Sequence, residues 1–125
     1  MAETVKSLSE LGLRAQGGRE ARITGLSVDS RQVKPGHLFA ALPGTRMHGG
    51  EFIRYALRME AAAILTDREG AAIAAAELAA SGAALIVVED PRQVLAYTAA
   101  LWFGRQPDTV IDPALAGRVA MSAAK

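Results

Sequence analysis

In this 125-residue chain Leu85-Ile86-Val87-Val88 runs almost directly into Asp90-Pro91-Arg92-Gln93, and that junction limits the folds open to it. The first four residues are large aliphatics, three of them β-branched, and read as a strand. The next four set out a capping aspartate, a first-turn proline and a third-position glutamine, the order that starts a helix. A strand leading straight into a helix cannot fold back as a hairpin. The same succession occurs twice more. Ala62–Leu65 is a strand, and Thr66-Asp67-Arg68-Glu69 has capping-box spacing before an alanine-rich helix that ends near Ser81 and Gly82. His37–Leu42 reads as a buried strand ending at Pro43-Gly44. A polar loop, Gly44–Gly50, leads from it into a helix over Glu51–Glu60, where Phe52, Ile53, Ala56 and Leu57 mark one buried face. Alternating strands and helices predict an α/β fold: a single small domain with a mostly parallel sheet, right-handed crossovers and flanking helices.

The N-terminal part is less regular. Ser7–Leu13 predicts a short helix ending at Gly12, and Ala15–Arg22 a loop around Gly17-Gly18. Ile23, Leu26 and Val28 form a β-favourable run that stops at Asp29-Ser30-Arg31, before a turn at Lys34-Pro35-Gly36. Beyond Gln93, Val94, Leu95, Thr98, Leu101 and Trp102 predict one buried helix side, with Gly104 as its end. The Phe52/Leu57 and Leu95/Trp102 faces are read as core, not as ligand boxes. Alanine supplies 26 of the residues, so the helices form readily while the larger aliphatics and aromatics carry the packing.

Composition excludes several chemistries. Fourteen basic and thirteen acidic side chains leave a formal charge of +1, which gives no basic face for nucleic acid or an anionic membrane. No apolar run approaches a bilayer span, and charges at Glu3, Lys6 and Glu10 exclude a secretory signal. The expectation is a cytoplasmic monomer. Without cysteine, and with only His37 and His48, no thiolate chemistry or histidine zinc site is expected. Both histidines read as core-edge or loop residues rather than catalytic bases.

Two segments invite a chemical reading. Gly44–Gly50 has the glycine spacing of a phosphate loop, but Gly50 and Glu51 stand where its lysine and hydroxyl belong, so it is not an ATP site. What survives is either a strand-to-helix turn or a loop whose free N–H groups favour an anion. Asp29-Ser30-Arg31, at a strand end, offers a hydroxyl and a guanidinium to a diphosphate. Its plainer reading is an Asp29–Arg31 surface pair with Ser30 beginning a turn.

Taken together, Ile23–Arg31, Val33–Gly44, His48–Ile53 and Glu60–Leu65 resemble the N-terminal domain of Mur ligases. That family carries a DSR triplet, then P-G-D-L-F-x-A-L-x-G, D-G-x-x-F-I and a G-A-x-A-I strand. His48 replaces the usual aspartate of D-G, and Glu60 the usual glycine before the alanine. Phe103-Gly104-Arg105-Gln106-Pro107 is most like the F-Y-G-x-P segment of the MurE branch, with MurF as the alternative. The resemblance implies a domain over residues 1–111 that recognises the UDP end of UDP-N-acetylmuramoyl-L-alanyl-D-glutamate. The implied contacts are Val28, Ser30, Thr45, Arg46 and Met47, supported by Asp29 and Arg31, with Asp67 away from that edge.

Full-length members add meso-diaminopimelate or lysine with ATP and Mg2+. This chain has no lysine-bearing phosphate loop after Ile111, so no catalytic residue, metal or cofactor is expected in it. The chain reads as truncated before the ATP-binding domain, with residues 112–125 an atypical tail that should fray. A free-standing, non-catalytic nucleotide-sugar binding or interaction module is the other function class.

Overall fold

The computed structural model describes residues 4–104. The chain divides into two compact units, Met1–Leu95 and Ala96–Lys125. Both the expected boundary at Ile111 and the tail after it lie outside the described residues.

The first unit is built on a four-stranded parallel sheet of β3 (Gly25–Ser27), β4 (His37–Ala41), β5 (Ala63–Thr66) and β6 (Ala84–Val87), in that order. The predicted α/β class is therefore what forms. Register fixes where the strands end: Ser27 pairs with Phe39, Ala41 with Thr66, and Thr66 with Val87. The loops after β3, β4, β5 and β6 consequently all leave the same sheet edge. The helices are α1 (Ile53–Arg58), α2 (Arg68–Ile73), α3 (Ala75–Ala80) and α4 (Pro91–Trp102).

A smaller antiparallel pair, β1 (Lys6–Ser7) with β2 (Arg22–Ile23), precedes the sheet. Glu20 organises it, accepting from the Leu8 N–H at 2.7 Å and from the Ser9 N–H and hydroxyl. The predicted Ser7–Leu13 helix is only a 3-10 turn over Ser9–Leu11, ended by Gly12 at φ 73°.

The core gathers Phe39, Val33, Ile53 and Ile64 with four alanines, Ala41, Ala56, Ala61 and Ala74. Small residues let α1 lie close to the sheet, and Phe39 fills the space they leave. Two expectations about local structure change. The cap of α2 is Asp67, whose carboxylate accepts from the Gly70 N–H at 2.9 Å. Thr66, the expected cap, is buried at the end of β5 with its hydroxyl donating to the Ala41 carbonyl at 2.9 Å. The alanine-rich helix is also two helices, broken at Ala74 (φ −110°, ψ 27°). A uniform alanine run contains nothing that marks where such a break falls.

Glu60 is the one non-glycine residue at positive φ among those described, at 67°. It stands where the Mur pattern has glycine, and an L side chain there carries a strain of about 1–2 kcal/mol. At α4 the sequence reading holds: Asp90 caps it, accepting from the Gln93 N–H at 3.1 Å, and Pro91 is its first residue. In the second unit, Gly104 at φ 77° donates to the Leu101 carbonyl and ends α4 as expected.

Candidate functional site

β3 stops after three residues because Asp29 turns the chain. Its Oδ1 accepts from the Arg31 backbone N–H at 2.9 Å, which caps a 3-10 turn over Ser30–Gln32. The same carboxylate takes Arg31 Nε at 3.1 Å and Nη2 at 2.8 Å. Of the two readings of this triplet, the surface pair is the one that forms. The guanidinium fork offered to a diphosphate is occupied by Asp29.

From behind, Ser27 Oγ lies 2.8 Å from His37 Nδ1 and donates toward the Gln32 carbonyl, so β3, the turn and β4 are tied together. Burial, with Lys34 nearby, pushes the His37 pKa down, which favours the neutral imidazole. Ser30 is held at the turn start, half-buried, with its hydroxyl in no hydrogen bond among the described residues.

Val28, Asp29, Ser30 and Arg31 form one wall of an open cleft of about 840 Å³. Phe52, Tyr55, Arg58 and Met59 form the other. This corrects one sequence expectation: Phe52, read as core, is 39% exposed on the cleft. Val28, just beyond the end of β3, is 59% exposed. Tyr55 carries Arg54 and Arg58 at 5.0 and 5.8 Å from its ring centre, and Phe52 lies 6.4 Å away at a tilt of 36°. The cleft thus presents aromatic surface beside guanidinium groups, a combination suited to a flat ligand carrying negative charge.

Sequence reasoning missed Tyr55, Arg58 and Met59. A signal was present, since Phe52, Tyr55 and Met59 recur at helical spacing on a different face from Ile53 and Ala56.

Thr45, Arg46 and Met47 do not line this cleft. They are the exposed tip of the loop after β4, leaving the same sheet edge as the β3 turn. The loop is closed at its neck, where the Gly49 N–H donates to the Leu42 carbonyl at 2.7 Å. A Cβ on Gly49 would meet Leu42 N at 2.6 Å, so the neck requires glycine. Arg92 Nη2 holds the Pro43 carbonyl at 2.9 Å.

The Gly50 N–H goes to His48 Nδ1 at 2.7 Å, and the Glu51 N–H to the His48 carbonyl. With these donors engaged the loop does not fit a triphosphate, and it is the strand-to-helix turn of the plainer reading. Among the described residues no group of three or more His, Asp or Glu is placed to hold a metal, and no helix is long and apolar enough to cross a membrane.

Asp29 provides a titration to check. Arg31's side-chain and backbone hydrogen bonds hold its pKa down to about 2, from an ordinary value of 3.8. A depressed carboxylate contributes stability above its unfolded value and loses it as the pH falls through its folded value. The capped turn should therefore stay closed near pH 3 and open toward pH 2. Carboxyl carbon shifts followed by NMR would show it, and a midpoint near 3.8 would mean that the Arg31 pair does not persist in solution.

Residues 22–103 match the family described as "Mur ligase family, catalytic domain". A UDP-N-acetylmuramoyl-L-alanyl-D-glutamate--2,6-diaminopimelate ligase of Streptomyces coelicolor is 43% identical over 108 residues, 86% of this chain and 20% of that protein. The ligase of the same name from Mesorhizobium japonicum is 36% identical over 101 residues, 81% of this chain and 20% of that protein. The chain thus spans about a fifth of the length of these curated relatives. Among solved structures, MurF from Acinetobacter baumannii matches with a TM-score of 0.57 at 20% identity, over 75% of this chain and 19% of that one, a likeness of fold. With its DSR turn and parallel sheet, and a family match over most of its length, the chain belongs to the Mur ligase family.

Proposed function

We propose that this chain is the substrate-recognition part of a MurE-type ligase and takes the UDP end of UDP-N-acetylmuramoyl-L-alanyl-D-glutamate. The parent activity is ATP-dependent amide-bond formation that adds 2,6-diaminopimelate or lysine. On this reading ATP, Mg2+ and the incoming amino acid belong to the rest of the relatives' length, of which this chain spans 20%. The observation that carries the reading is the cleft where Val28 and an unpartnered Ser30 hydroxyl face Phe52, Tyr55 and Arg58. A nucleobase has apolar faces for Val28 and the two rings, and its phosphates have Ser30 and Arg58. Thr45–Met47 at the neighbouring strand end meets the sugar-phosphate part, with Arg46 as a rim charge.

Titration of the full chain by calorimetry tests this with UDP, inorganic pyrophosphate and the complete nucleotide precursor. UDP and the precursor should bind saturably, more tightly than pyrophosphate, with weak affinity that falls as salt is added. Binding of pyrophosphate as tight as that of UDP would remove the base from the recognition. No saturation by UDP or precursor up to about millimolar concentration, a standard free energy weaker than about −4 kcal/mol, would sink the proposal and leave a non-binding module.

A further inference from the structure

His48 is the last residue of the loop that carries Thr45–Met47, and the one residue of Pro43–His48 whose side chain is buried, 6% exposed. Both of its ring nitrogens are used. Nδ1 accepts the Gly50 N–H at 2.7 Å, and Nε2 lies 2.7 Å from Asp67 Oδ1. Since Nδ1 is an acceptor, the proton is on Nε2, which donates to the carboxylate. The same Asp67 oxygen also accepts the Gly70 N–H that starts α2. One imidazole therefore ties the base of the loop to its own α1 side and to the next strand–helix junction.

The ring is closely packed, 6% exposed, against two glycines. A Cβ on Gly50 would come within 3.1 Å of His48 Nδ1, and one on Gly70 would come within 2.8 Å of Cε1 and fall on Thr66 Oγ1. Where the Mur pattern has an aspartate at this position, a carboxylate could keep the Gly50 contact but could not donate to Asp67. The cross-link between the two junctions comes from the histidine.

We propose that His48 and Asp67 are positioning residues for nucleotide binding: their bond fixes the loop so that Thr45–Met47 is presented in its binding shape, without either residue touching the ligand. The proposal rests on the reading that this loop meets the nucleotide. It also means that Asp67, expected from sequence to lie outside the site, acts on it through His48.

Three substitutions in the full chain separate the parts. His48→Asn keeps an acceptor for the Gly50 N–H and loses the bond to Asp67. Asp67→Ala loses that bond from the other side, together with the α2 cap. Asp67→Asn keeps the accepting oxygen for both donors. UDP and the nucleotide precursor are titrated into each, and amide exchange of residues 44–50 is compared with that of β4.

His48→Asn and Asp67→Ala should each weaken binding about three- to tenfold and speed exchange in the loop, leaving β4 protected in His48→Asn. Asp67→Asn should stay within about twofold of wild type in both readouts. Wild-type affinity in His48→Asn would overturn the positioning role while leaving the proposed function standing. So would weakened affinity with loop exchange unchanged. A wild-type chain that binds neither ligand removes the proposed function, and the positioning role with it.

Discussion

Phe39→Ala should cost about 3–5 kcal/mol of stability, toward the upper end of that range. The ring is 1% exposed in the second strand of the parallel sheet, β4, with ladder partners on both sides, so the backbone beneath it cannot move inward. The cost of such a truncation depends on how far the neighbours can collapse into the void. Here four of the seven other buried members of its cluster are alanines, which have no side chain to swing into the gap. Val33, Ile53 and Ile64 are β-branched and restricted to few rotamers.

A domain of this size has a total stability of about 5–15 kcal/mol, so the variant should be at or near the edge of folding. Urea unfolding followed by circular dichroism gives the shift in midpoint. Phe39→Leu, which restores most of the volume, should recover much of the loss. A loss below about 1.5 kcal/mol for the alanine variant would show that the alanine-lined core relaxes, contrary to the packing described.

The fold could be read where punctuation and side-chain size coincide. Asp90, Pro91 and Gln93 each have a distinct backbone role, so the start of α4 was legible residue by residue. Leu38–Ala41 and Ala63–Leu65 could be read as strands because short continuous apolar runs between turn residues have few other uses in a small domain. The pairing of Lys6–Ser7 with Arg22–Ile23 could not, because two-residue strands have no period and their partner was decided by Glu20 bonding to distant N–H groups. Thr66 and Asp67 both suit a cap. The choice between them was made by β5, which runs one residue further and buries the threonine hydroxyl against Ala41.

The candidate site divides in the same way. Val28, Ser30 and the Asp29–Arg31 pair were legible because a DSR triplet at a strand end has few conformations available. The opposite wall was not, because Phe52 and Tyr55 on a short amphipathic helix look like ordinary core residues until the sheet shows which face is already filled. Nor does sequence show that His48 and Asp67, nineteen positions apart, share a hydrogen bond. That contact depends on the parallel register of β4 and β5, which brings two successive loops to one edge.

Ser30→Ala is expected to weaken UDP binding about ten- to a hundredfold with little effect on folding. Binding and folding respond separately because the hydroxyl serves only the first. Inside the protein the Ser30 hydroxyl bonds to nothing among the described residues, while the turn is held by Asp29 and Arg31 and by the Ser30 carbonyl, which accepts from the Val33 N–H. Removing Oγ therefore leaves every bond of the turn intact. In the proposed complex the hydroxyl faces a charged ligand from a half-buried position, and hydrogen bonds to charged groups contribute about 1.5–3 kcal/mol. At about 1.4 kcal/mol per decade that gives the stated range.

Asp29→Ala should behave differently, since it releases the cap and frees Arg31, so the loss of affinity comes with a less ordered turn. Arg46→Ala, at an exposed loop tip, should have a smaller effect that fades with added salt. Glu77→Ala, exposed on α3, is the control and should bind as wild type does. Calorimetric titration of each variant, with amide spectra to confirm the fold, separates these cases. If Ser30→Ala binds UDP as wild type does while its spectrum is unchanged, the hydroxyl makes no contact with the ligand, and the nucleotide has to be moved off this wall of the cleft.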